Sequence, residues 1–357
     1  MVNSTPFLIF SRSSTRGQQQ AMGKSRAIVI FALIFTCPAV SPRCFAQSSV
    51  PGTAPQTTVA EKVIIDTDIG DDIDDAFAVA LALRSPELQI LGITTTFGDT
   101  EKRAKLLDRL LGEVGRTGIP VAAGTPTPPK TDFTQLKYAQ GGHFAKPSHP
   151  DAVTFLLDEI QRNPGEITLV DIGPLVNVGA AIDKDAATFR KLKRVVLMGG
   201  SIYRGYGDVG SETPLGPEPE WNIKNDILSA QKLFAAGVPL FVMPLDSTQL
   251  KMDAANRNSL FRQGTSLTDA LTLLYHEWGQ ETPTLFDPMT IAFIIKPELC
   301  PVDPMNIRVD DKGYTRPVDA GTGANSQSVR AAPNAQVCLK SNPDDFFHFL
   351  MPRLAMQ

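Results

Sequence analysis

Hydrophobic and polar positions follow two different periods along the chain from residue 61 onwards. Short apolar runs bounded by turn residues predict strands, whereas apolar residues spaced three or four apart predict helices. Strands are predicted over residues 62–66, 89–97, 119–123, 166–172, 194–198 and 239–244. Helices are predicted over residues 73–84, 101–114, 151–162, 174–182 and 224–236. Strands that alternate with helices in this way are typical of a mainly parallel sheet covered by helices.

The last third of the chain has a less regular pattern. Helices are predicted over residues 255–262, 266–278, 288–295 and 344–354, and short strands that could pair as a hairpin over residues 307–310 and 335–339. Residues 200–219 form a long segment rich in Gly, Pro and Tyr, and long irregular loops in compact domains are usually functional. We therefore predict one Rossmann-like α/β domain over residues 61–357. Its central mixed sheet is expected to bind a ligand at the carboxyl ends of the strands.

The N-terminal segment differs in composition from the rest of the chain. Residues 1–46 hold basic residues and no acidic residue, and the apolar run 27–36 follows Lys24 and Arg26. A basic region, a short apolar core and small residues before a cleavage point are typical of a secretory signal. We therefore expect residues 1–46 to be a signal peptide. An uncleaved anchor is the alternative, although the apolar run is short for a membrane span.

Two further boundaries follow from composition. Met22 could be the true start, since residues 1–21 add nothing that a signal needs. Residues 47–60 are rich in Ser, Thr, Pro and Gly and are predicted to be a flexible linker. The mature protein is therefore expected to be secreted or periplasmic, without a stable membrane anchor.

Composition also limits the partners and the covalent links of the mature protein. The net charge of the whole chain is −4 at pH 7. Because residues 1–46 are basic, the remaining residues carry a more negative net charge than the whole chain. An acidic body argues against nucleic acid as a partner, because phosphate binding needs a basic face. Of the four cysteines, only Cys300 and Cys338 lie outside the predicted signal. Two cysteines in an exported protein can form a disulfide, but the sequence leaves paired and free thiols equally open.

Six aspartates lie within residues 66–75, between a predicted strand and a predicted helix. Ligands bind at such strand ends in α/β proteins. Carboxylates this close repel one another, so some would stay protonated unless a cation binds. Oxygen ligands in this number suit Ca²⁺. Helix capping would explain only Asp74 and Asp75, so a metal-dependent active site is the stronger interpretation.

Further short motifs follow the aspartate cluster along the chain. They are residues 65–70 with 74–76, 92–98, 172–177, 196–200, 220–222 and 286–288. In this order they resemble the motifs of the inosine-uridine-preferring nucleoside hydrolase family, over about residues 61–350. The resemblance implies a Ca²⁺-dependent enzyme that hydrolyses the N-glycosidic bond of ribonucleosides to free base and ribose. It also implies a homo-oligomer, either a dimer or a tetramer.

The resemblance assigns a metal site and a catalytic base to particular residues. Asp68 is expected to be both a Ca²⁺ ligand and the base that activates water. Asp75 and Asp287 are expected to bind the ion through their side chains, and Ile172 through its backbone carbonyl. Asp66 is expected to orient these ligands from behind.

The sugar contacts are assigned in the same way. Asp74, Glu220 and Asn222 are expected to bind ribose hydroxyls. Asp99 is expected to contact the sugar as well, at a position where many family members have Asn. Because an ionised Asp only accepts hydrogen bonds, this difference would alter sugar recognition.

Two other departures from the family pattern affect the site. Asp72 belongs to a turn two residues longer than the shortest family version. It is therefore expected either to support the ligands or to replace one of them. Phe286 stands where purine-active members often have a His that protonates the leaving base, so another donor or a more activated base is expected. His143, Tyr275 and His276 are candidates for contacts with the base or leaving group, although a lone His is more often a surface residue.

Two alternatives remain at the level of sequence. Phosphohydrolases of the haloacid dehalogenase type also begin with Asp-x-Asp after a strand, but Gly70 stands where they have Thr or Val. An exported nucleoside- or sugar-binding protein that has lost turnover is the second alternative, because Asp99 and Phe286 depart from the family pattern. Hydrolysis is the leading hypothesis, since an acidic pocket stabilises the positive charge that develops on the sugar.

Overall fold

The computed structural model describes residues 59–208, 213, 215–318 and 332–356. The predicted signal peptide (residues 1–46) and most of the predicted linker (residues 47–58) lie outside the described residues. No helix within the described part is long and apolar enough to cross a membrane.

The described residues form ten strands in two sheets. The strands are β1 Glu61–Thr67, β2 Leu88–Thr95, β3 Val121–Ala123, β4 Ile167–Asp171, β5 Arg194–Met198, β6 Leu240–Met243, β7 Val302–Met305, β8 Ile307–Val309, β9 Thr315–Pro317 and β10 Ala335–Cys338. Eight of them form one sheet in the order β3-β2-β1-β4-β5-β6-β10-β7, and β8 pairs with β9. All pairs in the large sheet are parallel except β10 with β7.

Helices cover both faces of the large sheet. They are α1 Asp74–Leu83, α2 Thr100–Glu113, α3 Leu136–Gln140, α4 Ala152–Arg162, α5 Val176–Phe189, α6 Trp221–Asn225, α7 Ile227–Ala235, α8 Leu245–Thr248, α9 Ala254–Phe261, α10 Ser266–Trp278, α11 Pro288–Ile295 and α12 Pro343–Ala355. Successive strand residues point to opposite faces. In β1, Val63 and Ile65 therefore belong to the hydrophobic cluster of α1, α2 and α10–α12, whereas Ile64 belongs to that of α4, α5 and α7.

The predicted α/β fold with a central mixed sheet is confirmed, but the predicted hairpin of residues 307–310 with 335–339 is wrong. β8 pairs with β9, and β10 lies between β6 and β7 in the large sheet. A short apolar run indicates strand propensity, whereas its partner is decided by packing. The helix predicted over residues 224–236 is divided at Asp226, whose backbone (φ −147°, ψ 76°) leaves the helical region and whose carboxylate caps α7 at Ser229 N.

A disulfide bond links Cys300 to Cys338. Their Cα atoms lie 5.6 Å apart, and the two residues are 38 positions apart in sequence. The bond joins the segment before β7 to the end of β10, its antiparallel neighbour at the sheet edge. On the chain-entropy estimate, closing a loop of this length stabilises a fold by about 4 kcal/mol.

The strand order determines where a ligand can bind. The chain runs from β1 outwards through β2 to β3, and it then returns to the other side of β1 as β4. The connections after β1 and β4 therefore lead to opposite sides, which opens a crevice at the carboxyl ends of these two strands. The aspartates of residues 66–75 begin at this end of β1.

Candidate active site

A cavity of about 420 Å³ opens at the carboxyl ends of β1, β4 and β5. Its lining includes eight of the predicted site residues: Asp68, Asp72, Asp74, Asp75, Ile172, Glu220, Asn222 and Asp287. Gly70 allows the chain to turn from β1 into α1, because its φ of +126° is open to glycine and a Cβ there would lie 2.4 Å from the Phe133 ring. The fold thus gathers residues from four separate segments of the chain.

Three carboxylates converge in this cavity. Asp74 and Asp75 begin α1, and Asp287 precedes α11, which packs against α1. One oxygen of each lies within 4.8 Å of the others, and each residue is at most 5% exposed. Thr67 donates a hydrogen bond to Asp75, and the Asp287 amide lies 3.4 Å from Asp74 Oδ2. The packing of two helix N-termini therefore brings together acids that are far apart in sequence.

The buried acids are costly to ionise, because they are shielded from water and repel one another. Burial raises the pKa of Asp74, Asp75 and Asp287 well above the ordinary value, and repulsion between neighbouring carboxylates raises it further. Burial also raises the pKa of Asp68 to about 7, although the nearby Arg103 guanidinium opposes this rise. Such a cluster binds either protons or a cation. Because all its donors are hard oxygens, its chemistry fits a divalent metal such as Ca²⁺ or Mg²⁺.

Asp68 and Ile172 follow neighbouring strands and both line the cavity. The Trp221 side chain lies close enough to the Asp68 carboxylate to lower its pKa. Ile172 N donates to Asp66 O at 2.9 Å, which continues the ladder between β1 and β4. A Cβ on Gly173 would lie 3.0 Å from Asp68 N and 3.1 Å from Asp68 Oδ1. Glycine at position 173 therefore permits the close approach of the two strand ends.

Glu220 and Asn222 lie at the start of α6 and form part of the cavity wall. The Glu220 carboxylate accepts hydrogen bonds from Gly200 N at 3.0 Å and Asn222 N at 2.9 Å. The Asn222 side chain donates to Met198 O at 3.0 Å, which fixes its orientation. Tyr206 OH donates to Glu220 Oε1 at 3.3 Å. Burial and this carboxylate together raise the pKa of Tyr206, so its hydroxyl stays protonated.

Asp66 and Asp72 lie in different layers around the cavity. Asp66 is 1% exposed and lies behind the lining, where it accepts hydrogen bonds from Thr94 Oγ1 and, at 2.8 Å, from Asn177 Nδ2. Burial raises the pKa of Asp66 to about 7. Asp72 instead lines the cavity itself, as does Trp278, and its carboxylate accepts a hydrogen bond from Ile73 N at 2.7 Å. The longer turn thus adds an acid to the cavity surface.

The structure does not bring Asp99 to this cavity. Its carboxylate caps α2 by accepting a hydrogen bond from Lys102 N, and it forms an ion pair with Lys102 Nζ at 2.6 Å. A resemblance gives the position of a residue in the chain, whereas local helix capping sets the direction of this side chain. In this arrangement Asp99 makes a structural contact rather than the sugar contact that was expected.

The three candidates for base contacts also lie outside the cavity lining. His143 is exposed and packs beside Phe144. Tyr275 OH donates to Glu281 O at 2.6 Å, and His276 is exposed on α10. The last residue of the same helix, Trp278, lines the cavity instead, together with Gln280. Helical periodicity explains this difference, because neighbouring positions on a helix point in different directions.

Sequence reasoning missed several residues near the site, among them Asp171 and Tyr206. Asp171 ends β4 opposite Asp66 and is fully buried, and its Oδ2 has no hydrogen-bond partner among the described residues. Burial raises its pKa well above the ordinary value. An acid at the end of an apolar strand was the available signal. Tyr206 lies within the irregular segment 200–219, where no periodic pattern indicates which side chains face inwards.

Comparisons with known proteins agree with this geometry. The model of the family described as Inosine-uridine preferring nucleoside hydrolase matches residues 63–348. Uridine nucleosidase 1 of Arabidopsis thaliana is 31% identical over 278 residues, which cover 71% of this chain and 79% of that protein. The pyrimidine-specific ribonucleoside hydrolase RihA of Citrobacter koseri is 30% identical over 321 residues, which cover 83% of this chain and 99% of that protein.

Solved structures give the same result. A plant nucleoside hydrolase is 26% identical and aligns with a TM-score of 0.72 over 84% of this chain and 100% of its own. The family match extends from β1 to α12 and includes the acids on both sides of the cavity. It favours neither a phosphohydrolase nor a binding protein without turnover. The chain therefore belongs to the inosine-uridine preferring nucleoside hydrolase family and is an N-glycosyl hydrolase of ribonucleosides.

Proposed function

We propose that the protein cleaves ribonucleosides with Ca²⁺ as the cofactor and Asp68 as the base that activates water. The observation that carries this proposal is the convergence of Asp74, Asp75 and Asp287, whose carboxylate oxygens lie within 4.8 Å of one another. Asp68 lines the same cavity. A cluster of this kind holds a hard cation with oxygen ligands.

The proposed ligands are the Asp68, Asp75 and Asp287 carboxylates and the Ile172 carbonyl. Ca²⁺ bound there would lower the pKa of a water molecule and would attract the ribose hydroxyl oxygens. Asp74 belongs to the same acid cluster, and we assign it to a ribose hydroxyl. Its position next to Asp287 supports this role, since a sugar held there would lie directly beside the metal ligands.

The residues of the chain supply the remaining catalytic contributions. Asp68 lines the cavity, where its carboxylate can accept a proton from the attacking water. Trp221 lies beside this carboxylate in the cavity lining. Glu220 and Asn222 are held by backbone hydrogen bonds and can fix the sugar against this base. The acidic lining stabilises the positive charge that develops on the sugar as the glycosidic bond breaks.

The leaving base is expected to receive little help from a histidine. Within the described residues, no histidine lines the cavity. Phe286 lines it instead and packs edge-on against Tyr206, with ring centroids 6.0 Å apart. The relatives named for uridine and for pyrimidine ribonucleosides support pyrimidine ribonucleosides as the substrates to test first.

We also propose that the enzyme is exported and acts as a homo-oligomer. Residues 1–46 have the composition of a secretory signal, which supports a secreted or periplasmic location. Cell fractionation that finds the mature protein only in the cytosol would refute export. Light scattering on the purified protein would determine the oligomeric state, and a monomer would contradict the second proposal.

The central test measures release of reducing sugar from uridine, cytidine, inosine and p-nitrophenyl riboside, first with Ca²⁺ and then with a chelator. Asp68→Ala is expected to lower kcat by at least about 10²-fold, because it removes the base and a metal ligand. Asp253→Ala is the matched control, since Asp253 is an aspartate that caps α9 outside the cavity lining.

The possible outcomes separate the parts of the proposal. Calcium-dependent release that is lost only in Asp68→Ala supports both the cofactor and the base. Release that is insensitive to the chelator contradicts the metal assignment. Release from p-nitrophenyl riboside alone would show that a natural base lacks the acid it needs, as Phe286 suggests. No release from any compound would contradict the proposed reaction.

A further inference from the structure

One buried guanidinium group lies directly behind the aspartate-rich turn. Arg103 on α2 is 2% exposed and does not line the cavity. Its Nε donates to Phe97 O at 2.8 Å, and its Nη1 donates to Asp68 O and, at 3.0 Å, to Ile69 O. The group therefore binds the backbone that follows β2 and the backbone that follows β1. The segment after β1 reaches the active site at Asp68.

The longer turn supplies the counter-ion for this group. Asp71 accepts hydrogen bonds from Arg103 Nη1 at 3.1 Å and from Nη2 at 2.9 Å. Thr131 Oγ1 donates to the same carboxylate at 2.7 Å. A two-pronged arginine–carboxylate pair fixes orientation as well as distance, which a lysine cannot reproduce. The turn is therefore held at Asp68, Ile69 and Asp71 by a single side chain.

A second connection leads from the same group to the Asp68 carboxylate. Phe97 has a φ of +59°, an unusual value for a bulky residue, and Arg103 binds its carbonyl. The Phe97 ring packs edge-on against Trp221, with ring centroids 6.1 Å apart. Trp221 in turn lines the cavity with Asp68, close enough to the Asp68 carboxylate to lower its pKa. Arg103 thus constrains Asp68 in two ways. It binds the Asp68 carbonyl directly, and it acts indirectly through the Phe97–Trp221 contact.

We propose that Arg103 is a positioning residue for hydrolysis, which together with Asp71 keeps the Asp68 carboxylate in one orientation towards the sugar. The inference rests on the proposed role of Asp68 as the base. Arg103 makes its contacts with the protein backbone and with Asp71, so it acts through Asp68 rather than on the substrate. Small displacements of a reacting group are expected to reduce turnover far more than binding.

The test compares Arg103→Met, Arg103→Lys and Asp71→Asn with the matched control Arg109→Met. Arg109 lies on the same helix, where its guanidinium binds Glu113 and Tyr138 O. Arg103→Met is expected to lower kcat for uridine on the order of 10²-fold with little change in KM. Arg103→Lys and Asp71→Asn are expected to lower kcat by a smaller factor. Arg109→Met should keep the wild-type kcat even where its thermal stability falls.

Trp221 fluorescence gives a readout that does not depend on turnover. In a Trp278→Phe background Trp221 is the remaining tryptophan, since the chain has two. Arg103→Met is expected to change its emission in the folded protein, whereas Arg109→Met is not. Unchanged kcat and unchanged emission in a folded Arg103→Met variant would overturn the proposal. An equal fold-reduction of kcat in Arg109→Met would overturn it as well. A changed emission with an inactive wild type would instead reject the proposed reaction while supporting the positioning contact.

Discussion

Individual aspartates in this chain have different roles because their surroundings differ. Asp75 and Asp287 meet in a buried cluster, whereas Asp99 caps a helix and pairs with a neighbouring lysine. Their positions along the sequence alone do not separate these roles. Burial and the nearest donors decide which carboxylates can bind a metal, which only stabilise a helix end and which stay protonated.

Asp99 offers a direct test of this difference. Asp99→Ala removes the cap of α2 and is expected to lower the free energy of unfolding by about 1 kcal/mol. KM for the nucleoside should stay unchanged, because the carboxylate faces Lys102 rather than the cavity. Denaturant unfolding and initial rates measure the two effects. Asp253→Ala removes a comparable cap on α9 and serves as the control. A large rise in KM without loss of stability would restore the sugar contact that the resemblance implies.

At the scale of elements, the junctions after the parallel strands carry the site. Hydrophobic periodicity predicts β1, α1, β4 and α5 closely enough to place Asp68 and Ile172 at strand ends. It does not show how closely these ends approach one another. That distance depends on Gly173, because the register between β1 and β4 brings the turns that follow these two strands into contact.

Gly173→Ala is expected to disturb this junction. Its Cβ would lie 2.6 Å from Thr96 Cγ2 and 3.0 Å from Asp68 N, so the strand ends must separate. Overpacking of this kind lowers the free energy of unfolding by about 1–3 kcal/mol. Turnover should fall as well, because Asp68 moves with its backbone. Steady-state kinetics and thermal unfolding measure both effects. Gly118→Ala is the control, since nothing lies within 4 Å of its Cβ, and equal behaviour of the two variants would contradict the argument.

At the scale of the whole molecule, the buried acids link folding to metal binding and pH. Burial raises the pKa of Asp66 and Asp68 from 3.8 to about 7. A raised pKa means that the folded state binds protons more tightly than the unfolded state. The associated stability is therefore fully present below about pH 4 and is lost as the pH rises through 7. A bound cation removes this loss by favouring the charged carboxylates.

The expected result is a stabilisation by Ca²⁺ that grows with pH. In chelator, the melting temperature should fall between about pH 5 and pH 8, and added Ca²⁺ should cancel this fall. Calorimetry at several pH values measures the melting temperature in Ca²⁺ and in chelator. Surface groups that titrate in both conditions largely cancel in the difference between the two temperatures. An equal shift by Ca²⁺ at both ends of this range would contradict the metal site.

The sequence by itself determined the alternation of strands and helices and the position of the aspartate-rich turn, because both depend on local periodicity and on residue type. It also determined that the cluster needs a cation or protons. The tertiary structure alone decided that β10 joins the large sheet and that Arg103 lies behind the turn. These features depend on contacts between segments far apart in the chain, and local sequence carries no record of which segments will meet.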